Sequence, residues 1–173
     1  MNLKEEILKE HSKFQCAKIV EWVGADQKRF DGLFSLFLND EYRVVQRAGW
    51  PISYCVIGHP TLITKHWANL LKNLKKPNIH GAVKRNTVRL MQDINIPRKF
   101  QGDVMTSCFG FVECPTEEVA VKAFSLTILG NLARQHPEII PEIKLLINTR
   151  ADTQTAAFKS RAKKLLKTFS ETD

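Results

Sequence analysis

The chain has 173 residues, 43% of them hydrophobic and 25% charged, values that exclude disorder as the default state and suffice for one packed core without staples. Twenty-six Lys and Arg against 18 Asp and Glu leave a net charge of +8, a basic protein whose balance favours acidic partners, nucleic acid among them, without selecting one. The N-terminus is charged from Lys4 onward, unlike a signal peptide, and no window approaches the roughly 18 apolar residues of a membrane span, so a cytoplasmic protein with no membrane partner is expected.

Leu3, Ile7, Leu8 and Phe14 have roughly helical spacing, and Cys16, Ile19, Val20 and Val23 continue one face as far as Gly24. One or two helices therefore lead the chain. Asp26 is placed to cap a further helix that carries Phe30, Leu33, Phe34 and Phe37 on one face and ends near Asn39 and Asp40. These leading helices fill residues 1–40.

From Glu41 onward a repeat sets in. The segment from Val44 to Trp50 aligns with those beginning at Ala82, Ala120 and Ala157, with offsets of 38, 38 and 37 residues between Val45, Val83, Val121 and Phe158. Pro60, Pro97 and Pro137 follow the first segments by 14 to 16 residues, and proline suits the first turn of a helix, so each opens the second helix of a pair.

Those second helices carry Leu62, Ile63, Trp67, Leu70, Leu71 and Leu74; then Phe100, Val104, Phe109 and Val112; then Ile139, Ile140, Ile143, Leu146 and Ile147. Turn-rich joints separate the pairs at residues 75–78, 113–116 and 148–152, and Thr116, ahead of Glu118 and Val119, is in position to cap the next helix. The pairs occupy residues 41–76, 79–114 and 116–150, and a lysine-rich terminal helix follows over 152–169, from about Thr153 to Phe169.

A two-helix unit of about 38 residues, with Val45-x-Arg47-Ala48-x-Trp50 in its first helix and a proline opening its second, resembles the HEAT and armadillo repeats over residues 41–169. The resemblance implies an all-α fold, an α-α superhelix or solenoid of about three helix pairs plus leading and terminal helices, in one domain over 1–173. It also implies a non-catalytic binding scaffold for a protein or peptide partner. A bacterial family of HEAT-like DNA glycosylases that remove alkylated bases is similar in architecture. Together with the positive charge, that makes nucleic-acid binding the alternative, although the family's catalytic Asp, Trp and Arg find no motif here.

The repeat register puts Gln46, Lys84, Lys122 and Lys159 in one column, with Arg47 and Arg85 beside the first two. Stacked in a solenoid, such a column either tracks phosphates or forms the solvated side of the first helices. Arg47 has a further reading, reaching the backbone or a carboxylate of a neighbouring repeat. On the terminal helix Lys159, Lys163 and Lys167 are four apart, with Lys164 and Arg161 close by, a basic patch suited to solubility, to nucleic acid or, less well given the modest opposite face, to anionic lipid.

Trp22, Trp50 and Trp67 lie in apolar helical contexts and read as core. Cys16, Cys55, Cys108 and Cys114 form no CxxC pair and read as reduced, mostly buried thiols, and His59 with His66 lacks a third ligand, so no metal is expected. Asp93, Asp103 and Glu113 are scattered, and the chain has no GxGxxG, GxxxxGK[ST], HExxH or GxSxG and no signature loop of the fumarase and aspartase type of lyase. No catalytic residue or cofactor is therefore expected.

Overall fold

A computed structural model describes residues 1–150 and 154–171 as ten α-helices and two 3-10 segments. The leading helices are α1 (Leu3–Lys9), α2 (Lys13–Val23) and α3 (Gln27–Asn39). Each begins at a side-chain cap: Asn2 accepts from the Glu5 N–H, Ser12 from Gln15 and Asp26 from Arg29. Gly24, at φ +51°, ends α2 and donates its N–H to the Val20 carbonyl. The break between α1 and α2 resets the helical phase. Phe14, which the spacing grouped with Leu3 and Ile7, consequently points away from Cys16 and Ile19 and is 77% exposed.

Seven further helices follow: α4 (Tyr42–Gly58), α6 (Gly81–Met91), α8 (Val119–Ala133) and α10 (Ala156–Ser170) carry the repeated segment and are the expected first helices, and α5 (Trp67–Leu74), α7 (Arg98–Glu113) and α9 (Ile140–Arg150) are the expected second ones. The packing shifts the pairing by one helix: α4 packs on the preceding α3 and α8 on the preceding α7, rather than on α5 and α9, which follow them. The prolines do their work one step earlier than expected. Pro60 and Pro137 open 3-10 segments, Pro60–His66 and Pro137–Ile139, ahead of α5 and α9, and Pro97 occupies the cap position before Arg98.

Two boundaries differ from the sequence reading. The position before α8 is Glu118, which makes no side-chain cap, so Thr116 is not a cap; and α9 runs to Arg150, taking Asn148 and Thr149 into helix. Thr153, the expected start of the terminal helix, lies outside the described residues together with Ala151 and Asp152, and α10 is capped by Thr155.

The chain divides into two compact units, Met1–Ile94 and Asn95–Asp173. In the first, α4 is the hub, packed by α1, α2, α3 and α6 around Phe30, Leu33, Phe34, Phe37, Val44 and Ile52. Burying such side chains stabilises by about 1.5–3 kcal/mol each. In the second, α7 and α10 both pack on α8 around Val104, Val112, Val121, Leu129 and Phe158.

Within each unit the repeat period becomes a spatial relationship. Tyr42 at the start of α4 meets His80 before α6, and Tyr54 near the end of α4 meets Arg89 near the end of α6, so the two first helices lie side by side and parallel. In the second unit Arg161 of α10 reaches Ala123 of α8, again 38 residues away.

Candidate binding surfaces

Helix α4 buries Val44, Ala48, Ile52, Cys55 and Val56 and leaves Arg43, Gln46, Trp50, Tyr54 and Ile57 on its opposite side, three or four residues apart and hence on one face. Tyr54 is 39% exposed and Ile57 37%. Neighbours hold the aromatic members in place. Arg89 donates to the Tyr54 hydroxyl at 3.0 Å with its guanidinium carbon 5.0 Å from the ring centre, and His11 meets Trp50 edge-on with ring centres 5.6 Å apart. The indole N–H of Trp50 is buried without an acceptor. Beside it a shallow cleft between α1, α2 and α4 is lined by His11, Ser12, Gln15, Arg47 and Trp50.

The histidine at the head of α6 links the same two helices. Its Nδ1 accepts from the Ala82 N–H at 3.0 Å, which in the neutral ring leaves the proton on Nε2, and that nitrogen stands 2.8 Å from the Tyr42 hydroxyl.

The residues expected to bind anions are placed unequally. Arg47 is tied to the backbone of α1, donating to the Leu8 carbonyl at 2.8 Å and the Ile7 carbonyl at 3.4 Å. Lys84 and Arg85 are half-buried on α6. Lys122 corrects the solvated-column reading: it is 4% exposed and its ammonium reaches the Pro115 carbonyl at 3.3 Å, because α8 is apolar nearly all round and is covered by both α7 and α10. Lys159, Lys163, Lys164 and Lys167 are exposed on α10. Arg161 turns inward instead, donating to the Ala123 carbonyl and, at 2.8 Å, to the Thr127 hydroxyl, with its guanidinium over the Phe124 ring.

Charge is segregated between helices. The first helices α4, α6, α8 and α10 contain 11 Lys and Arg and no Asp or Glu, although the chain has 18 acidic residues. This pattern was readable in the sequence once the helix limits were known, and the column of aligned lysines obscured it. Every acid of the described first unit sits on α1, α2, α3 or a joint.

The remaining polar groups are structural in their surroundings. Asp31 of α3 takes hydrogen bonds from Lys65 at 2.6 Å, His66 at 2.7 Å and Gln27 at 2.9 Å; burial alone would raise its pKa, but the three donors outweigh it and hold the carboxyl at about 2. His66 also lies against Phe34, ring centres 4.3 Å apart. Among the described residues no three His, Cys, Asp or Glu side chains group as a metal site.

Burial raises Cys16 to about 11 and Cys55 and Cys108 to about 12, whereas the Thr116 hydroxyl lowers the half-exposed Cys114. Of the tryptophans only Trp67 is core, at 2% exposure; Trp22 and Trp50 are half-buried, and Arg29 covers Trp22. Among the described residues no helix is long and apolar enough to cross a membrane.

The sequence matches the model of the HEAT repeat domain family over residues 3–169. No curated protein and no solved structure matches the chain.

Proposed function

Since the chain belongs to the HEAT repeat domain family, with an all-α helical-repeat fold, we propose that it is a non-catalytic binding scaffold that presents first-helix faces to a protein or peptide partner in the cytoplasm. One observation carries the proposal. The parallel helices α4 and α6 hold cations and no acids, yet α4 keeps Tyr54 and Ile57 exposed among them, a mixture of anchor and charge that suits an acidic protein surface. Affinity capture of the full chain from its source cells, with nuclease treatment, tests it. Protein partners that persist after nuclease support the scaffold, and partners that vanish with the nucleic acid overturn it.

A second reading rests on α10. Its exposed Lys159, Lys163, Lys164 and Lys167 form a patch that suits a phosphate backbone. Fluorescence anisotropy with labelled single- and double-stranded DNA and RNA across a salt series tests this reading. Salt-sensitive binding that is lost when the four lysines become alanine puts nucleic acid first, and no binding at low salt removes it.

A further inference from the structure

We infer that the open face of α4, from Arg43 to Ile57, is the docking surface and that its occupant is an acidic amphipathic peptide helix; this rests on the scaffold reading above. The face is one helical stripe. Arg43, Gln46, Trp50, Tyr54 and Ile57 succeed one another at intervals of three or four residues over about 21 Å, the length of a partner helix of about 14 residues.

Its anchors are ordered before binding. Arg89 fixes the Tyr54 ring through its hydroxyl and its face, and His11 braces Trp50, so a partner loses little to ordering them. Trp, Tyr and Arg are the side chains that dominate interface energetics, and an aliphatic residue at one end completes an apolar seam.

Charge selects the partner. Helices α4 and α6 carry five Lys and Arg and no acid, with Glu10 the acid that lines the cleft beside Trp50, so acidic residues flanking the partner's apolar seam are favoured over basic ones. The surface suits a peptide better than a nucleic-acid backbone. Of the five, Arg47 and Arg89 already serve α1 and Tyr54, Lys84 and Arg85 are half-buried on α6, and Arg43 alone is exposed, fewer cations than phosphate tracking uses.

A display library of random 16-residue peptides panned on the full chain tests the assignment. Enriched peptides are expected to be net acidic with apolar residues at helical spacing, and to bind Ile57→Asp and Arg43→Glu variants at least tenfold more weakly, circular dichroism showing each variant folded. Basic enriched peptides, or acidic ones that bind both variants as they bind the parent, overturn it. Binding lost only when Lys159, Lys163, Lys164 and Lys167 become alanine overturns the α4 assignment and leaves the scaffold standing. The absence of any enriched peptide overturns both.

Discussion

Gly49 of α4 faces Asn86 of α6 so closely that a Cβ at position 49 would stand 2.7 Å from Asn86 Nδ2 and 3.1 Å from its Cβ. The Asn86 amide is not free to swing away, since it donates to the Ala82 carbonyl at 2.9 Å. Overpacking of this kind costs about 1–3 kcal/mol, more than the ~0.5–1 kcal/mol that alanine gains over glycine within a helix. Gly49→Ala is therefore expected to lower the urea midpoint by the equivalent of about 1 kcal/mol or more. Gly130→Ala, whose Cβ would press on both methyls of Leu165, the movable end of a flexible side chain, is expected to lower it less.

Arg161 anchors α10 through two acceptors on α8 and the Phe124 ring. Hydrogen bonds to a charged group contribute about 1.5–3 kcal/mol and a cation over a ring about 0.5–1 kcal/mol. Arg161→Ala should destabilise the chain by about 2 kcal/mol in urea titration. Lys163→Ala, two residues along on the solvent side, should change stability by no more than about 0.5 kcal/mol.

Asp31 should contribute to acid sensitivity beside Glu6, whose carboxyl is also held at about 2, by hydrogen bonds from Lys9, Gln15 and Lys18. The Asp31 carboxyl titrates near 3.8 in an unfolded chain and about 2 in the folded one, so the unfolded chain binds more protons between those values. The contribution is complete above pH 3.8 and is lost as pH falls toward 2. Asp31→Asn should thus be destabilised relative to the parent at pH 7, with the gap in urea midpoints narrowing below pH 4. A gap independent of pH would contradict the assigned hydrogen bonds.

Thiol titration separates the cysteines. Cys114, half-exposed and lowered by Thr116, should react with an aromatic disulfide reagent in the native protein, whereas Cys16, Cys55 and Cys108 should react only after unfolding. Cys114→Ser should abolish the fast phase.

Much of the fold was legible because its signals are local. Helical spacing marked Phe30, Leu33, Phe34 and Phe37 as one buried face, Asp26 marked a cap, and the 38-residue offset marked helices that pack side by side. The misreadings arose where tertiary packing decides. Phe14 follows a capped break that shifts the helical phase, and Lys122 sits on a helix covered by two neighbours, so alignment with Lys84 did not carry solvent exposure with it. The α4 stripe was hidden because Trp50 reads as core in an apolar segment, and only the packing of α1, α2, α3 and α6 shows which side stays open.

The most direct test of the scaffold account is affinity capture with the full chain and its Ile57→Asp variant, both nuclease-treated, beside a variant with Lys159, Lys163, Lys164 and Lys167 changed to alanine. The account predicts a protein partner that the parent and the lysine variant retain and Ile57→Asp loses. A partner retained by Ile57→Asp, or lost with the lysines, would contradict docking on α4, and one that disappears with the nuclease would contradict the scaffold itself.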